Sequence, residues 1–201
     1  MGKRENVLKS YLENTLGRGD FKRPNYVDFK NSRFHPFIMK VYRDLGGKKN
    51  DYPINFRGFD IKLKDVIVEL DEERHFNRYR YETLNSPVYD NWKGFSVRKY
   101  KKWCNEYEEN CLQSAHWGNS WQNKNSNEHF NISAKLSENK FSDASRWKQR
   151  AFFDYLRDVS SILMNVKLIR LSIYQRINYS SVTDLIKNHN LDVISEYIQT
   201  Y

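Results

Sequence analysis

Residues 58–75, GFDIKLKDVIVELDEERH, constrain this chain more than any other stretch, because two runs of alternating apolar and charged residues flank the dipeptide Lys64-Asp65. Alternation with a period of two marks a strand, and two such runs around a short break make a β-hairpin. With Lys64 and Asp65 as the turn, Phe59, Ile61 and Leu63 share a face with Val66, Val68 and Leu70, while Asp60, Lys62, Glu69 and Asp71 share the other. The register that pairs Leu63 with Val66 sets Asp60 opposite Glu69, with Cβ atoms roughly 4.5–5.5 Å apart and Asp71 and Lys62 on the diagonals. Opposed carboxylates repel unless a cation lies between them or one is protonated. The spacing points to a divalent metal held by Asp60, Glu69 and Asp71; the alternative is a row of solvated charges on an open sheet face.

Charge and aromatic content suit a nucleic-acid partner. Lys plus Arg number 34 against 25 acids, a net charge of +9, and 15% of residues are aromatic. That balance favours contact with phosphates and bases, although merely basic proteins share it. The basic and aromatic residues interleave over 76–112, where Arg78, Arg80, Arg98, Lys99, Lys101 and Lys102 alternate with Tyr79, Tyr81, Trp92, Phe95, Tyr100 and Trp103. These cations are candidate DNA contacts; the competing reading makes the rings core and the charges solvated. The segment Lys3 to Leu16 lacks the apolar centre of a signal peptide, and no run approaches the roughly 20 apolar residues of a membrane span. A soluble cytoplasmic protein without a membrane partner is expected.

At 201 residues the chain suits one domain, with residues 78–145 as an insertion between core elements. Residues 113–145 are rich in Asn and Ser and read as irregular. Helices are expected at 5–16, at 36–45 with Pro36 at its start and Gly46-Gly47 as its stop, and at 146–163 after a cap at Ser142 or Asp143. On the last of these, Arg150, Asp154 and Arg157 fall on one face and read as a surface ion-pair ladder. VKLIRLSIY follows as a strand, and a terminal helix pair starts near Ser181. Cys104, Cys111, His116 and His129 are the residue types of a zinc site, in the order Cys-x6-Cys-x4-His-x12-His, which matches no standard finger; two reduced thiols are the alternative.

The strings FDI and VIVELDEERH resemble the core of the PD-(D/E)XK nuclease superfamily, in the branch of very-short-patch-repair endonucleases. A second block resembles that branch's closing helix and strand: Asp154-Tyr-Leu-Arg157-Asp158, then Asn165 and VKLIRLS with Arg170 and Ser172. Three positions depart from the pattern. Glu72 stands for a Gly, Asn165 for the turn Gly, and Asp71 for the usual catalytic Lys. The resemblance implies an α/β fold with a central mixed β-sheet flanked by helices, a restriction-endonuclease-like core and an irregular insertion. It implies Mg²⁺, with Mn²⁺ as substitute, on Asp60, Glu69 and Asp71 or the carbonyl of Leu70. Lys62 would replace the missing Lys, His75 would orient water or protonate the leaving oxygen, and Asp154, Arg157 and Arg170 would support the site. The implied function is endonucleolytic hydrolysis of DNA in bacterial or phage-related restriction, phage defence or repair. A palindromic target would require a homodimer. Glu72 favours the other reading, an inactive nucleic-acid-binding or protein-interaction module on the same fold.

Overall fold

The structure, a computed structural model, describes residues 2–115, 123–131 and 144–201. It is a mixed α/β protein. Helix α1 (Lys3–Leu16) leads through α2 (Tyr26–Lys30) and α3 (His35–Asp44) to strands β1 (Ile61–Lys62) and β2 (Val66–Asp71). Between β2 and the long helix α8 (Ser145–Leu163) come α4 (Arg78–Thr83), α5 (Val97–Glu106), α6 (Glu108–Gln113) and α7 (Lys124–His129). Then follow β3 (Lys167–Ser172), a small hairpin of β4 (Arg176–Ile177) and β5 (Ser180–Ser181), and the helix pair α9 (Val182–Lys187) and α10 (Leu191–Gln199).

The main sheet has the order β1-β2-β3, antiparallel on one side of β2 and parallel on the other. Ile61 pairs with Val68 and Lys62 with Ile67, the register expected from the hairpin, and Leu63 N–H closes the turn on the Val66 carbonyl at 2.9 Å. Parallel β2 and β3 need a long crossover, and α8 ends it. Its exit is a Schellman turn: Val166 N–H reaches the Ser161 carbonyl, Asn165 N–H reaches that of Ile162, and Asn165 has φ 52°. Asn at the position of the expected Gly turn therefore takes the left-handed conformation that the turn requires.

Central β2 is covered on both faces, so all its residues after Val66 are buried. Val68 and Leu70 join Ile169 and Leu171 in the main core, while Ile67 and Leu168 form a small apolar cluster on the other side. Phe59 packs in that second cluster, against the expected alternation, because Asp60 is a bend and strand geometry begins only at Ile61. The expected insertion is helical in its described parts. Tyr100, Cys104, Phe130 and Tyr89 are buried in the main core, so α4 to α7 complete the domain's interior. Ser142 and Asp143 lie outside the described residues, and the residue preceding α8 is Ala144, which supplies no side-chain cap. On the outer edge of β3, the loop before α5 comes in close: the Gly94 carbonyl accepts from Arg170 N–H at 3.3 Å. A Cβ on Gly94 would meet the Leu168 carbonyl oxygen at 2.1 Å, so only glycine permits this approach.

Candidate functional site

The β2 face that carries Glu69 and Asp71 meets α8 through charged groups rather than an apolar contact. Register aligns Glu69 with Arg170 and Asp71 with Ser172 across the parallel pair. Arg170 donates Nη1–H to Asp71 Oδ1 and Nε–H to Asp158 Oδ1, both at 2.7 Å, and Nη2–H to the Asp154 carbonyl at 3.0 Å. Asp158 also accepts from Arg80 at 2.8 Å and from the Tyr89 hydroxyl at 2.6 Å. Every charged member of this set is buried, and each charge has an opposite partner. Removing one partner of such a set leaves an uncompensated buried charge, which makes it intolerant of substitution.

His75 sits at its edge. Its Nδ1–H donates to Asp154 Oδ2 at 2.8 Å and lies 3.2 Å from Asp71 Oδ1, while Arg150 Nη2–H donates to Nε2 at 2.6 Å. A guanidinium has no acceptor, so in this contact Nε2 accepts from Arg150 and Nδ1 carries the hydrogen that points at Asp154. Asp154 also takes Arg157 Nη1–H at 3.1 Å. Burial opposes its charge, but His75, Arg170 and Arg157 outweigh that and hold its carboxyl well below the usual range. The expected surface ladder of Arg150, Asp154 and Arg157 is thus a buried network around an imidazole, since Asp154 is only 1% exposed.

The acidic pair is formed as the register requires. Asp60 N–H donates to Glu69 Oε1 and Leu70 N–H donates to Asp60 Oδ2, each at 3.1 Å. Glu69 is buried, 1% exposed, and Asp60 half-buried. Burial first, then the charge of Asp60, pushes the Glu69 carboxyl well above its ordinary value; burial likewise raises Asp60, with Arg157 and His75 opposing. Arg157 Nε lies 3.4 Å from Glu69 Oε2 without hydrogen-bond geometry and is the cation nearest the pair. Two oxygen-donor carboxylates so arranged fit a hard divalent ion, which needs only one or two of them and keeps its waters.

The other expected site residues divide. Asp71 is fully buried and turned to Arg170, away from a shared ligand role, and among the described residues no three His, Cys, Asp or Glu side chains converge as a metal-ligand group. His75 has both ring nitrogens engaged by protein, so it positions its neighbours instead of offering a free proton donor. Lys62 reaches Asp20 at 3.2 Å instead of the acids. Glu72 adds no fourth ligand: Arg4 Nε holds it at 2.9 Å, and Arg4 also holds Glu73. Arg80 is a core residue, 1% exposed on Asp158, and cannot contact DNA. Arg78 pairs with Glu108, Lys102 with Glu106, and Lys101 lies over the Tyr81 ring, while Arg98 and Lys99 are exposed on α5. Phe95 and Tyr100 are core rings, so aromatic content here serves packing.

The zinc expectation does not assemble in its described members. Cys104 belongs to the main core and Cys111 to a small cluster with Trp147, burial pushes both thiols up to about 12, and His129 Nδ1 meets the Tyr42 hydroxyl at 3.3 Å. His116 lies outside the described residues. Two residues of α1 escaped notice in the sequence. Lys9 Nζ donates to the Asp60 carbonyl at 3.1 Å, and Glu5 is close enough to Asp60 that burial and that charge raise its pKa. Only the docking of α1 against β1 brings them near, and no local pattern encodes it.

Fold and site together define an α/β protein with a buried acidic pair braced by an Arg-Asp-His network. Residues 40–189, from within α3 to just past α9 and including the pair and its network, match DUF7255, a family of unknown function, and the chain belongs to that family. No curated protein and no solved structure matches it.

Proposed function

We propose that the protein is a metal-dependent endonuclease that hydrolyses DNA phosphodiester bonds, in restriction, phage defence or repair. The observation that carries this reading is the cross-bonded pair Asp60 and Glu69, two facing carboxylates that burial and mutual repulsion push above their ordinary values despite Arg157, a strain that a bound cation would relieve. In this reading Asp60, Glu69 and the Leu70 carbonyl hold Mg²⁺ or Mn²⁺. When bound there, such an ion would supply polarisation of the phosphoryl oxygen and a lowered pKa for the attacking water. Arg157 keeps Glu69 oriented, His75 fixes Asp154 and Arg150, and Lys9 stands beside Asp60 as the nearby ammonium. The resemblance to the PD-(D/E)XK core supports the same chemistry and a restriction-endonuclease-like arrangement, with Asp71 reassigned from ligand to brace.

The second reading, a nucleic-acid-binding or protein-interaction module without catalysis, draws on one observation: Arg157 already neutralises part of the Glu69 charge. Plasmid cleavage with Mg²⁺ or Mn²⁺ against EDTA separates the two. Cleavage by the wild type and none by Asp60→Ala supports the enzyme; equal cutting by both sinks the site, and no cutting by either returns the module.

A further inference from the structure

One stripe of α8 carries Arg146, Arg150, Asp154 and Arg157, spaced by four, four and three residues and so along one face. Its C-terminal half is paired with acids, because Arg157 lies on both Asp154 and Glu69. Its N-terminal half is not. Arg150 gives Nη2–H to His75 Nε2, and among the described residues its buried Nε has no hydrogen-bond partner. Among the described residues Arg146 reaches the side-chain amide oxygen of Gln149 and no carboxylate. Arg57, exposed, is drawn to the same stripe because its carbonyl accepts from Arg157 Nη2 at 3.4 Å.

Among the described residues no carboxylate forms an ion pair with Arg57, Arg146 or Arg150. Burial together with the charges of Arg150 and Arg57 lowers the pKa of Arg146, the opposite of what acids do to Arg157. Arg146 also stands in the first turn of a helix of 19 residues, the end where the macrodipole disfavours a cation. Arg146 and Arg150 stand one turn apart on this face, with the Arg57 backbone fixed to the same stripe by Arg157, and positive charge gathered so, against the dipole, is relieved by an anion. Phosphate matches the planar donor fork best.

We propose that Arg57, Arg146 and Arg150 form a cradle for a backbone phosphate of DNA, adjoining the Asp60–Glu69 pair. The connection runs through side chains already in contact, from Arg150 to His75, Asp154, Arg157 and Glu69. A phosphate in the cradle anchors the strand while a neighbouring linkage lies over the acids. That the ligand is DNA rests on the nuclease reading; that the cluster takes a phosphate-class anion does not.

The test is binding of a short fluorescent DNA duplex in EDTA across a salt series, with thermal melting to verify that each variant folds. Arg146→Gln and Arg57→Gln should each lower the salt slope, by no more than the ~0.9 that one neutralised phosphate contributes, and weaken binding by up to roughly eightfold at ~0.1 M salt. Lys40→Gln, which removes the same charge from an exposed pair on α3, should leave the slope unchanged. Wild-type slopes in both Arg variants overturn the cradle. Because Arg57 is exposed, its variant keeps the test open if Arg146→Gln misfolds. Cleavage assays on the same proteins separate the two readings: lowered slopes without any wild-type cleavage keep the cradle and remove the enzyme, whereas cleavage with unchanged slopes does the reverse. A wild type that binds no DNA but is stabilised by inorganic pyrophosphate, with that stabilisation lost in Arg146→Gln, overturns DNA as the ligand.

Discussion

Arg170 and Asp158 are joined at 2.7 Å with neither side chain exposed, which ties the closing strand to the long helix that precedes it. Arg170→Met would leave buried Asp71 without its guanidinium and Asp158 with Arg80 as its remaining counter-charge. The expected loss is about 3–5 kcal/mol of folding stability. Urea denaturation measures it, and an unchanged midpoint would show that the network is solvated instead of buried.

Stability should also depend on pH in a direction set by the acidic pair. The Glu69 carboxyl is raised above its ordinary value of 4.5, so its contribution is complete below that value and is lost as pH rises through the raised pKa. Asp154, held below its ordinary 3.8, contributes the opposite limb, lost only as pH falls beneath that value. Metal-free protein should therefore melt at lower temperature near neutral pH than in mild acid, and Glu69→Gln should flatten that decline. Mg²⁺ or Mn²⁺ at about a hundred times its dissociation constant should restore roughly 2.7 kcal/mol at neutral pH. A melting temperature that rises from mild acid to neutrality would reverse the sign and contradict the pair.

The lysines near the site should separate in turnover. Lys62 is committed to Asp20, so Lys62→Ala is expected to cut at close to the wild-type rate. Lys9→Ala should lose a factor of about 10², the scale of one charge-stabilising donor. Single-turnover cleavage by both variants decides it, and the reverse ranking would return the role to Lys62.

At the exit of α8, Asn165 holds φ 52°. Asn165→Gly should be neutral or slightly stabilising, whereas Asn165→Val should cost about 1–2 kcal/mol, the penalty of forcing a side-chain-bearing residue into the left-handed region. Equal stability of the two variants would mean that the turn relaxes to another geometry.

How far the sequence reaches is clearest at β1 and β2. Turn position and alternation were enough for the register, because a slip of one residue would have turned every apolar side chain to the wrong face. The helix α8, its left-handed exit and the terminal helix pair follow equally from local pattern. Burial of the polar face does not. Glu69 and Asp71 read together as metal ligands and Asp154 as part of a surface ladder, because their partners Arg157 and Arg170 come from distant segments and a single strand shows charge without showing what meets it. Short helices such as α4 and α6 carry too few apolar residues to reveal their period, and so 78–145 read as an insertion. Arg80 shows the same difficulty: among so many surface cations, only tertiary packing marks the one that is buried.

The close approach of Gly94 to β3 bears on how two copies of this chain can meet. An open strand edge invites a second sheet to continue the first, and here a loop already rests against that edge with its carbonyl on Arg170 N–H. A sheet continuous across two copies by this edge would have to expel the loop and expose Trp92 and Phe95, whose tilted rings meet at 5.6 Å between centres. Two copies of this chain would therefore not pair through the β3 edge as it stands, and a bulky residue in place of Gly94 would open that edge and invite fibre-like self-association.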